Sequence, residues 1–130
     1  MNKALWTAQV LAGLFFLYTG VLHFIVPEGL PATFEWMYDL SDTLHYVTGA
    51  AEILGGLGLL LPAFTRIQPQ LVPMAAVGLA LLMVGAVIYH LGRDEAQNVV
   101  SNVLWIVVTG FIAYGRWKVV PIEPKASSNS

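Results

Sequence analysis

The sequence predicts an all-α fold, a bundle of four transmembrane helices, on three observations. Apolar residues make up 57% of the 130-residue chain and charged residues only 11%, whereas a soluble domain carries about 25% charged residues. So few charges could not coat a water-facing surface, but in lipid an apolar exterior is what a folded chain requires. The apolar residues also gather into four blocks, and prolines and glycines fall between the blocks.

The blocks differ in length and in what ends them. The first, 4–26, exceeds the roughly 20 residues that a span needs. Lys3 ahead of an apolar run has the charge order of a signal peptide. The run is long enough to span, however, and lacks a clear small-x-small cleavage site before a polar mature region, so it is expected to persist as an uncleaved first span. Pro27, Gly29 and Pro31 end it, because proline cannot continue a helix. The second block, 44–61, is expected to end at Pro62. The third, 71–91, carries Pro73 in its opening turn, where a missing N–H costs little, and stops at Gly92. After the polar connection 94–98 comes the fourth and shortest block, 99–114. One membrane domain over 1–118 results, followed by a polar cytoplasmic tail, 119–130, expected to be disordered.

Orientation follows from the basic residues. Four spans put both termini on the side of the second loop, which carries Lys3, Arg66, Arg116, Lys118 and Lys125 against Arg93 alone opposite. The chain is expected to lie in the cell membrane as a multi-pass protein with both termini cytoplasmic. The external first loop holds Glu28, Glu35, Asp39 and Asp42 among Phe34, Trp36, Met37 and Tyr38, and is expected to lie along the membrane interface. Trp6, Tyr46 and Trp117 suit interface anchors, and Arg66, Arg116 and Lys118 suit orientation and headgroup contacts.

Other classes fall away. Six scattered basic residues make no phosphate-tracking patch, so no nucleic-acid partner is expected. The chain has no cysteine, which removes disulfides, thiolate chemistry and iron–sulfur clusters. No nucleotide loop, nucleophile elbow or catalytic triad pattern is present in the sequence.

Three glycine pairs, Gly13/Gly20, Gly49/Gly56 and Gly78/Gly85, are each seven residues apart and so each share a helix face. Small faces let helices approach closely in lipid, and helix packing is the expected use of all three. Glu52 lies between Gly49 and Gly56 on one such face, with His45 on the same stripe. A charge at the bilayer centre costs about 2.5–3.5 kcal/mol on insertion scales, so this face should point inward. The topology brings His23, His45, His90, Asn98 and Asn102 to the same external half, with Arg93, Asp94 and Glu95 capping that end.

Four readings of this cluster compete. The histidines could be interfacial and Glu52 a packing residue. Glu52, His23, His90, His45 and Asn102 could bind a quinone or another hydrophobic ligand, since ionisable groups inside a membrane mark functional sites. His23 and His90 could hold haem b. Histidine and glutamate together could hold a divalent metal, although their spacing matches no local ligand motif.

The runs 11–16 and 19–24, and above all the glycine-flanked glutamate segment 49–62, resemble the DoxX-like membrane proteins. The resemblance spans nearly the whole chain and implies a four-helix membrane fold. The founding DoxX proteins are small subunits of a thiosulfate:quinone oxidoreductase. Distant relatives are linked to oxidative-stress complexes and membrane-protein assembly, so fold is implied more firmly than function. The expectation is an integral membrane protein contacting lipid, with a polar pocket near the external face and a quinone-binding or redox-associated accessory role. Any catalysis is expected from a membrane oxidoreductase complex of which this chain is one subunit, and the partners expected are another membrane subunit or further copies in a homo-oligomer. The alternative is a non-enzymatic assembly or scaffolding subunit. A small-molecule carrier would need polar residues in the cytoplasmic half too, where the sequence shows few.

Overall fold

The fold is that of a computed structural model, which describes residues 1–126. It contains four long helices and, among the described residues, no strand: α1 (Asn2–Ile25), α2 (Asp42–Thr65), α3 (Leu71–Leu91) and α4 (Ala96–Tyr114). A 3₁₀ segment (Ala32–Asp39) follows α1, and a short π-helical turn (Gly115–Val119) carries α4 onward. All four helices are long and apolar enough to cross a membrane. At about 1.5 Å per residue each matches the roughly 30 Å hydrocarbon core. The chain is an integral membrane protein on these grounds, and Leu11, Leu54, Leu81 and Val100 are among the large apolar side chains left on the outside for lipid.

The helices run up and down in ring order, with α1 against α2, α2 against α3 and α3 against α4, and the looser contact of α1 with α4 closes the ring. Between them lies a core that includes Phe16, Leu59, Val72, Leu79 and Ile112.

Helix ends follow local chemistry. Ser41 caps α2 by accepting the Leu44 N–H at 3.3 Å. Val26 takes the left-handed conformation that closes α1, just ahead of Pro27. The expectation that Pro62 ends α2 is corrected: the helix continues to Thr65. There the Thr65 hydroxyl donates to the Leu61 carbonyl at 2.7 Å and accepts the Ile67 N–H at 3.2 Å, and left-handed Arg66 stops the helix. A proline removes only one ladder bond, which one further turn with its own cap can outlast.

Two of the three glycine pairs pack. A Cβ on Gly49 would sit 2.9 Å from the Gly20 carbonyl oxygen, and one on Gly56 would sit 2.9 Å from that of Gly13. The α1 and α2 backbones therefore meet directly along Gly13, Gly20, Gly49 and Gly56. Gly78 and Gly85 depart from the expectation: nothing lies within 4 Å of either Cβ position.

Two side chains of the 3₁₀ segment point into the bundle. Met37 is 1% exposed, and Trp36 turns inward between helices. Asn98 donates from Nδ2 to the Thr33 carbonyl at 2.7 Å, and Arg93 donates to Asp39 at 2.7 Å, strapping the segment over one end of the bundle. In the tail, Ile122 packs on the core and the Lys125 N–H bonds the Arg66 carbonyl at 2.9 Å. Residues 127–130 of the tail expected to be disordered lie outside the described residues.

Candidate ligand cavity

At the strapped end the helices surround a cavity of about 610 Å³. α1 supplies Thr19 and His23, α2 supplies Glu52, α3 supplies His90, α4 supplies Asn102, and the 3₁₀ segment supplies Trp36. Most of the wall is apolar, with Phe15, Val47, Leu82 and Met83 among its side chains. Four of the five candidate residues, Glu52, His23, His90 and Asn102, thus face one space. His45 stands behind His23 and does not line it.

Glu52 is 5% exposed, placed there by the close α1–α2 contact at the glycines above and below it. Its Oε2 is 3.6 Å from His23 Nε2, which is too far for a hydrogen bond. Behind it, His23 Nδ1 and His45 Nδ1 are 2.8 Å apart, and His45 Nε2–H donates to the Met37 carbonyl at 2.7 Å. Across the cavity His90 Nδ1–H donates to Glu95 at 2.8 Å, and Arg93 Nε–H donates to the same oxygen at 2.9 Å. Desolvation pushes the Glu95 carboxyl up, but the bonds from Arg93 and His90 outweigh it and hold the group below its ordinary value. The Arg93 guanidinium, bonded by Glu95 and Asp39, is held above its own.

Three buried polar atoms of this end have no hydrogen-bond partner: Glu52 Oε2, Trp36 Nε1 and Asn102 Nδ2. Buried polar groups are nearly always paired, so three at one cavity mark a place suited to a bonded molecule. Trp36 packs against His23 at 5.8 Å and edge-on against His90 at 4.8 Å between ring centroids. An iron bound to both histidines would have to displace that indole, so the geometry gives haem b no support. Among the described residues, no group of three or more His, Cys, Asp or Glu side chains could hold a metal ion.

Sequence reasoning missed Trp36 and the Met37 carbonyl, having assigned their segment to the membrane surface. The signal available was Asn98 and Asp39, polar groups able to tie that loop down. It also missed a second buried cluster at the opposite end. Arg116, expected to face headgroups, is 3% exposed. The π-helical turn carries it inward, where its Nε–H donates to Gln9 Oε1 and its Nη1 donates to Asn2 Oδ1 at 2.7 Å. Gln9 in turn donates to the Leu59 carbonyl at 3.0 Å, and Trp6 lies against the guanidinium.

Fold and cavity together define a class: a four-span membrane bundle with an amphipathic ligand-sized cavity under a strap at one end. The chain matches the DoxX-like family over residues 7–112 and belongs to that family. No curated protein and no solved structure matches it.

Proposed function

We propose that this membrane protein binds a hydrophobic small molecule with a hydrogen-bonding head, of the quinone type, and serves as a redox-associated accessory subunit. The observation that carries the reading is the cavity itself. Its volume of about 610 Å³ falls in the range of small-molecule sites, roughly 300–1,000 Å³. Its wall is mainly apolar, yet it holds unpartnered polar atoms on three different elements. A flat ring with oxygens at its edge meets that pattern: the Trp36 and Asn102 N–H groups donate, and Glu52 exchanges a hydrogen bond. The excess of basic residues on one side supports cytoplasmic termini, an orientation in which the cavity opens toward the external face.

The test is titration of the purified protein in nanodiscs with a short-tailed benzoquinone, followed by tryptophan quenching. Saturable binding is expected, and Glu52→Gln should weaken it about tenfold or more, equivalent to about 1.4 kcal/mol, with unchanged expression. Absence of saturable quenching in the unaltered protein would remove the reading.

A second reading, an assembly subunit, draws on Gly78 and Gly110, whose Cβ positions have nothing within 4 Å. Open glycines on α3 and α4 offer another transmembrane helix a close approach. Gly78→Leu and Gly110→Leu would then abolish co-purification of a partner, and Glu52→Gln would not.

A further inference from the structure

The bonds behind the cavity fix where the histidine protons sit, and this deepens the reading just proposed. A backbone carbonyl can only accept a hydrogen bond. Met37 C=O lies 2.7 Å from His45 Nε2, so His45 must carry its proton on Nε2. A neutral imidazole with Nε2–H has a bare Nδ1, which is an acceptor. The Nδ1 of His23 is 2.8 Å from it and must therefore be the donor. With its proton committed to Nδ1, a neutral His23 presents a lone pair from Nε2 toward Glu52 Oε2 at 3.6 Å. Two bare acceptors facing each other in a nearly dry interior repel, so a proton belongs between them. It rests on Glu52 or on His23 Nε2, and the pair carries no net charge in either case.

We infer that His45, anchored by the Met37 carbonyl, is a positioning residue that fixes the tautomer of His23, so that Glu52 and His23 share one proton at the cavity wall. The 3.6 Å separation leaves that proton in no short bond, and Glu52 Oε2 has no other partner. It is therefore available to an oxygen of the bound molecule, with Glu52–H donating to a ligand carbonyl or, after transfer to His23, the carboxylate accepting from a ligand hydroxyl. The site suits a ligand that exists in both proton-accepting and proton-donating forms. Because the 3₁₀ segment provides the carbonyl, the loop that covers the cavity also sets its protonic polarity.

The experiment is ¹⁵N NMR of histidine-labelled protein in nanodiscs, where only three histidines contribute. His45 is expected as the Nε2–H form. A coupling should join the two Nδ1 nuclei, with the hydrogen covalently on His23. His45→Gln retains an acceptor and a donor and should preserve the Nδ1–H form of His23, whereas His45→Leu should release it. A hydrogen on His45 Nδ1 in the unaltered protein, or a bare His23 Nδ1, would overturn the inference. The measurement uses no ligand, so it stands apart from quinone titration. Failure of the titration with the expected tautomers present would remove the proposed function and leave the relay intact.

Discussion

At the scale of single residues, an ionisable group in an apolar interior costs least where its hydrogen bonds are met, and Glu52 and Arg116 answer this differently. Arg116 donates from Nε to Gln9 and from Nη1 to Asn2 and the Val120 carbonyl, leaving Nη2 without a partner, and no carboxylate among the described residues accepts from it. Its role is to tie the chain's two ends together. Lysine cannot reproduce a planar fork, so Arg116→Lys should destabilise the bundle by about 2 kcal/mol. Thermal unfolding in detergent checks this, and ligand titration of the surviving fold should be unchanged. Glu52 by contrast leaves Oε2 unmet beside a cavity, which is why its replacement is expected to alter binding more than folding.

At the scale of elements, the α1–α2 pair and the strap make opposite predictions. Gly56 packs against the Gly13 carbonyl, so Gly56→Ala should push the helices apart and cost about 1–3 kcal/mol. Gly78→Ala meets open space and should stabilise α3 slightly, by about 0.5–1 kcal/mol, in the same unfolding assay. The strap depends on charge. Glu95 has a lowered folded value, so its contribution is present above the unfolded value of about 4.3 and is lost as pH falls through the folded one. Acidification below about pH 4 should therefore loosen the end where Arg93 and His90 bond Glu95 and Arg93 also holds Asp39. Trp36 emission would report this, with a smaller change in Glu95→Gln.

At the scale of the whole molecule, two buried polar clusters occupy opposite ends of the bundle. Asn2, Gln9 and Arg116 lock one end, and the glutamate–histidine cavity opens the other. The distribution of basic residues leads us to expect the cavity on the external side. Single cysteines introduced at Glu28 and at Lys125 would test it cleanly, since the native chain has none. An impermeant maleimide should label the first in intact cells and the second only after lysis; the reverse pattern would invert the topology. The four spans and the inward face of Glu52 were legible in the sequence because both are one-dimensional signals. An apolar run must be long enough to cross lipid, and helical periodicity sets a charge and two glycines on one stripe. What only the tertiary structure decided was every contact made across elements. The strap turned Trp36 and Met37 from surface to interior, Arg116 swung inward on a π-helical turn, and Gly78 faced open space. Each depends on which neighbour a side chain meets, and residues far apart in the chain choose that neighbour. The periodicity of a single helix carries no record of it.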